Sequence, residues 1–148
     1  MRTFLLTLIA TLLLGSTALA QRNVTPAIER DPVMEQDAKH NLDVARQAFS
    51  PLKKAYKAVL MRFEETYAAY PEFSGIDEFL YLAGMSCYYL SENKGKQPVD
   101  LHLPKEKEKY DPAKLRADAI AYLGTVVDKY PDSKFVDDAK KTLAILKP

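Results

Sequence analysis

Apolar residues recur along this chain at helical spacing, in blocks separated by proline, glycine and serine. Ala38, Leu42, Ala45 and Phe49 lie three and four apart, on one helical face, and predict a first helix from about Val33 to Phe49. Ser50-Pro51 breaks it, reading as the cap and first-turn proline of a second helix. That helix carries the stripe Tyr56, Val59, Leu60, Phe63, Tyr67 and Tyr70, and Pro71 ends it. A third helix follows Ser74-Gly75 and turns Ile76, Leu80, Ala83, Cys87 and Leu90 inward. Gly84 sits beside that stripe, where another helix can approach closely, and Asp77 and Glu78 suit the positive end of the helix dipole. Residues 93–110 show no helical face and contain Gly95, Pro98 and Pro104, so they read as an insertion loop, long for a compact domain. Within it the run from Lys105 to Lys109 alternates in sign and reads as solvated and mobile. Asp111-Pro112 opens a fourth helix with the stripe Leu115, Ala119, Leu123, Val126, Val127 and Tyr130, ended by Pro131. Asp132 or Ser133 caps a fifth, with Phe135, Val136, Ala139, Leu143 and Leu146 inward.

Part of this pattern is copied. Tyr70-Pro71 leads into Ile76-Asp77-Glu78, and 60 residues on Tyr130-Pro131 leads into Val136-Asp137-Asp138. Phe63 and Tyr67 precede the first copy at the offsets of Leu123 and Val127 before the second. Each copy reads as helix, proline stop, short turn and acidic helix start. A unit that repeats in this way cannot bury its apolar face alone and stacks on its copies. The predicted fold is all-α: a short α-solenoid of helical hairpins, with about five helices and roughly two and a half repeats.

The residues resemble a known repeat class. Lys54 to Phe63, running on to Tyr70-Pro71, resembles the second helix of a tetratricopeptide repeat. Leu80, Ala83, Gly84 and Cys87 match the large, small, glycine and bulky spacing of a first helix, and the fourth predicted helix through Tyr130-Pro131 resembles a second one. Gly84 to Pro131 spans 47 residues, too many for a repeat of about 34, which again marks 93–110 as an insertion. The phrases YPxFxxIDE and YPDSKFVDDA are similar to those of the BamD (YfiO) family of outer-membrane assembly proteins, over about Glu35 to Leu146. The resemblance implies a periplasmic protein-interaction module whose hairpins line a concave face with their first helices. Two departures stand out: family members carry a lipidated cysteine after the signal, and about five repeats.

The beginning of the chain adds a compartment. Arg2, the apolar run Phe4 to Leu14 and Ala18-Leu19-Ala20 have the order of a secretory signal peptide over residues 1–20. Eleven helical residues at about 1.5 Å each fall short of a hydrocarbon core of about 30 Å, which favours cleavage over an anchor. The expected organisation is signal peptide 1–20, flexible leader 21–33 and domain 34–148, exported to a periplasm or secreted. Cleavage removes Arg2 and leaves 20 basic against 20 acidic residues, a balance that suits neither nucleic acid nor an anionic membrane surface. The expected partner is a protein or peptide of the cell envelope, with no direct membrane anchor and the oligomeric state open. Cys87 is the one cysteine, so no internal disulfide is expected, and its place on the apolar stripe predicts a buried, inert thiol.

Candidate chemistry is sparse. His40 lies three residues from Asp37 and from Asp43, and Asp100 and His102 alternate in the insertion, but both sets read as solvated surface. No catalytic residue, metal ligand or cofactor site is assigned, and an enzyme reading has no constellation to rest on. Tyr81, Met85 and Tyr88 recur at i, i+4 and i+7, a quarter-turn from the inward stripe of the third helix. On a concave face such residues offer stiff, amphipathic contacts to a peptide. The alternative is that the rings pack against the neighbouring hairpin or the insertion. Two functions follow: an adaptor or assembly factor that grips polypeptide, or a structural subunit or oligomerising scaffold of an envelope complex.

Overall fold

The computed structural model describes residues 30–147. The expected signal peptide lies outside the described residues, as does most of the expected leader; within 30–33, Pro32 and Val33 already belong to a helix. Six helices follow: α1 Pro32–Phe49, α2 Tyr56–Ala69, α3 Ile76–Ser91, α4 Pro104–Lys109, α5 Pro112–Lys129 and α6 Val136–Leu146. Among the described residues there is no strand. The five long helices are those of the sequence pattern, and the fold is all-α and tetratricopeptide-like. α1 pairs with α2, α2 with α3, α3 with α5 and α5 with α6, while α1 also reaches α3.

Two helices open alike. Asp31 accepts hydrogen bonds at Oδ1 from the N–H groups of Val33 and Met34 (2.8 and 3.3 Å), and Asp111 does so from Ala113 and Lys114 (3.0 and 3.1 Å). A proline follows each at the first helical position, where no N–H is needed. Ser50-Pro51 departs from the expected role. Ser50 closes α1, its carbonyl accepting from Lys53 and Lys54 (3.1 and 2.9 Å), and α2 starts only at Tyr56. Lys54 takes φ +45° in that turn. Ser133 likewise does not cap α6; its hydroxyl donates to Asp77 (2.6 Å).

The copied phrase is a copied structure. Tyr70 N–H donates to Thr66, Phe73 to Tyr70 and Ile76 to Phe73 (2.7, 3.3 and 3.1 Å). Sixty residues on, Tyr130 donates to Val126, Ser133 to Tyr130 and Val136 to Ser133 (3.1, 2.9 and 3.2 Å). Each turn also sends a serine hydroxyl to a carboxylate in the first turn of the preceding hairpin's first helix: Ser74 to Glu35, and Ser133 to Asp77. The proline that ends a helix therefore starts a turn whose serine fixes the next hairpin against the last.

The core runs from Leu42 and Ala45 through Phe63, Phe79 and Leu80 to Leu123, Val126 and Ala139, all at most 2 % exposed. α3 lies at its centre, with ten of its sixteen residues buried. A Cβ on Gly84 would stand 2.7 Å from Leu123 Cγ and 3.3 Å from Leu123 N, so the backbones of α3 and α5 meet there.

The insertion departs most from expectation. Residues 93–110 include α4, and the segment is tied to α2. Lys57 Nζ donates to Pro98 O and to both carboxylate oxygens of Glu106 (2.8, 2.8 and 2.9 Å), and Glu106 accepts from the Asp100 N–H (2.7 Å). Lys109 pairs with Glu64 (2.8 Å), and Tyr110 is buried beneath the ammonium groups of Lys57 and Lys109. A run of alternating charge has no apolar face, yet it docks because its partners stand on another helix. The Lys57 hydrogen bond, with the Asp100 amide second, holds Glu106 below the usual carboxylate range. A carboxylate whose pKa falls on folding stabilises above its unfolded pKa of about 4.3 and loses that contribution as pH drops through the folded value. Glu106→Gln should therefore lower the melting temperature near about pH 7, with the difference from the native chain closing toward about pH 3. A difference independent of pH would show that the bridge contributes nothing.

Candidate functional site

The first helices of the three hairpins meet through side chains: α1 reaches α3 by charged groups, and α3 reaches α6 and its lead-in through Met85–Thr142 and Tyr81–Phe135. Arg46 of α1 forks onto Glu78 of α3 through Nε and Nη2 (2.6 and 2.8 Å) and donates from Nη1 to Asp43 (2.6 Å). Lys134, just before α6, reaches the same Glu78 at 4.0 Å. The hydrogen bond to Glu78 raises the Arg46 pKa further, so this bidentate pair stays charged. Glu78 thus joins α3 to α1 and stands within ion-pair reach of the turn that leads into α6.

The tyrosine row lies beside this link, and its three members differ. Tyr81 is half-buried and stacks on Phe135 (centroids 4.7 Å, interplanar angle 17°), over which Lys134 sits at 4.8 Å. Burial, then the negative charge of Asp138, pushes the Tyr81 phenol up. Met85 is 8 % exposed and its sulfur accepts from the Thr142 hydroxyl of α6 (3.4 Å), which leaves it little free surface. Tyr88 is half-buried beside Tyr89 (5.5 Å), with Lys94 5.8 Å from its ring. Tyr81 and Met85 therefore touch α6 or its lead-in, and Tyr88 joins a different cluster.

That cluster escaped the sequence reading. Phe49, Tyr56 and Tyr89 bring their rings within 5.0 to 6.2 Å of one another at the end of the first hairpin. They floor a cleft of about 500 Å³ walled by Pro51 and rimmed by Lys54 and Lys94. The signal was present in two lysine-bearing turns, but nothing in the chain pairs them until Lys96 N–H donates to Lys54 O (3.1 Å).

A second cavity of about 320 Å³ lies between α2, α4 and α5, floored by Leu60, Phe63, Cys87 and Leu115 beneath a rim of both signs. Burial pushes the Cys87 thiol up to about 12, so it is not a nucleophile at neutral pH. Burial likewise takes the Tyr122 phenol to about 12. Among the described residues no group of three or more His, Cys, Asp or Glu stands where it could hold a metal ion, and no helix is long and apolar enough to cross a membrane.

A family model described as outer membrane lipoprotein, YfiO, matches residues 10–148. Comparison with curated proteins and with solved structures yields no match.

Proposed function

We propose, for a chain that belongs to the YfiO family of outer membrane lipoproteins, a non-enzymatic role in assembly at the Gram-negative cell envelope. It holds a polypeptide segment of another envelope protein along the face shared by α1, α3 and α6. The observation that supports this reading is Glu78 of α3, which takes the Arg46 fork from α1 and lies 4.0 Å from Lys134 at the lead-in to α6. Tyr81, stacked on Phe135, lies on that face with Met85 as packing beneath it, and Tyr88 stands at its end, where α3 runs into the aromatic cluster. Cys87 takes no part in attachment, because a lipid on a thiol 2 % exposed would have to open the core.

The test is an affinity pull-down from envelope extract with mass-spectrometric identification, run with the native chain and with Tyr88→Ala. The native chain should retain an envelope protein that Tyr88→Ala loses at an unchanged melting temperature. Tyr81→Ala is the poorer probe, since the stack on Phe135 goes with it, at about 0.5–1.5 kcal/mol beyond the buried area. Equal retention by both proteins removes this face from the account. A second reading, a structural subunit whose stacking continues into its complex, is favoured by Ile145, an apolar side chain 60 % exposed on α6.

A further inference from the structure

The aromatic cleft at the turn end of the first hairpin is a separate surface, and its chemistry is specific. Its floor is a socket, not a platform: Tyr56 and Tyr89 meet at 33° and Phe49 and Tyr56 at 60°, so no two rings there form a flat shelf. A socket of that kind accepts a compact ring edge-on to its walls. The rim is basic. Among the described residues Lys53, Lys54 and Lys96 have no carboxylate within 4.0 Å, whereas Lys94 is paired with Glu92. Lys54 stands on the rim itself, and Lys53 and Lys96 flank it on the two turns that the Lys96 N–H to Lys54 O bond joins, in a chain whose formal net charge is only +1.

The rim is also built in place. Lys54 in the first turn takes φ +45°, and Asn93 and Gly95 in the second take +53° and +114°, Asn93 as the left-handed stop just past α3. A Cβ on Gly95 would lie 2.8 Å from Lys54 O and 2.8 Å from Tyr56 Cδ2, so only glycine lets the second turn close on the first. The Lys94 amide donates to Tyr89 O (2.8 Å), fixing that turn to the end of α3.

We infer that this cleft binds an acidic peptide segment through one aromatic side chain, the ring entering between Phe49, Tyr56 and Tyr89 while flanking carboxylates meet Lys53, Lys54 and Lys96. This goes beyond the proposed role of the α1–α3–α6 face and does not depend on it.

The probe is a fluorescein-labelled synthetic peptide, Gly-Asp-Glu-Phe-Asp-Glu-Gly, titrated with the chain from residue 21 by fluorescence anisotropy. Its affinity should fall as salt rises, and should drop about ten-fold or more when phenylalanine becomes alanine or the acids become their amides. Lys53→Ala, Lys54→Gly and Lys96→Ala together should cause a similar loss at an unchanged melting temperature, glycine being at ease at φ +45°. The pair Lys53→Ala and Lys96→Ala, which spares the turn backbone, should cause part of that loss. Tyr81→Phe should leave this affinity untouched, which separates failure here from failure of the other face. Absent binding, binding indifferent to the lysines, or preference for an anionic glycan such as polygalacturonate over the peptide would overturn the assignment.

Discussion

Phe63→Ala should cost about 3–5 kcal/mol of folding free energy, the range for truncating a buried aromatic ring. Phe63 is 1 % exposed and belongs to α2, but its ring serves three helices. It meets Phe79 of α3 edge-on (5.6 Å, 67°) and Tyr122 of α5 edge-on (4.9 Å, 67°), and stacks on Tyr67 of its own helix (5.2 Å, 22°). Alanine leaves a void that Leu60 and Leu115 cannot close without dragging α2 and α5 together, since both already wall the adjoining cavity. Against a total stability of about 5–15 kcal/mol for a single domain, such a loss brings the chain close to unfolding. Urea denaturation should show a much lower midpoint. Met61→Ala, on the same helix but 48 % exposed, should stay within about 0.5 kcal/mol. A Phe63→Ala loss under about 1 kcal/mol would mean that α2 does not pack across α3 and α5 as described.

Gly84→Leu acts in the opposite sense, by adding atoms where none fit. The first added carbon already lies 2.7 Å from Leu123 Cγ and 2.9 Å from Leu123 Cδ2, and Leu123 is fully buried. Leu123 cannot swing away, so α3 and α5 must separate along the most extensive contact in the fold. The expected loss is about 1–3 kcal/mol, the usual cost of overpacking. Gly84→Ala should cost less, and Leu123→Ala should relieve part of that cost, giving a coupling between the two sites of about 0.5 kcal/mol or more. Gly124, one residue from Leu123, has open space where a Cβ would go, so Gly124→Ala should be neutral or stabilising. Equal effects at the two glycines would contradict the close approach.

These two residues also mark how far the sequence could be read. Gly84 was legible because a glycine beside an apolar stripe has few purposes in a helix other than close packing. The copied turns were legible because repetition at a fixed spacing needs no propensity argument, and their hydrogen bonds repeat residue for residue. Phe79, fully buried, was missed, and Met85 was placed on an open row, for one reason: a stripe assigns one inward face, while α3 is packed on nearly every side. Thr66 and Thr142 are buried too, contrary to their type, because Asn41 donates to one (3.1 Å) and the single hydroxyl proton of the other is shared between Asp138 O (3.1 Å) and the Met85 sulfur (3.4 Å). The docking of α4 depends on Lys57 and Glu64, more than 40 residues away in sequence, and local alternation of charge carries no trace of them. The aromatic cleft was illegible in the same way. Phe49, Tyr56 and Tyr89 each read as part of a different helix, and only the closing of two turns brings them together.

The proposed role is to hold another polypeptide along one face of a short helical stack. Site-specific photo-cross-linking in living cells tests it most directly, with a benzophenone amino acid placed singly along and away from that face. Asp43, Tyr88 and Asp138 stand on α1, α3 and α6; Ala68 and Ala121 are exposed on the second helices, α2 and α5. Adducts to the same envelope protein are expected from the first three positions and none from the last two. Adducts confined to Ala68 and Ala121, or none from any of the first three, would contradict it.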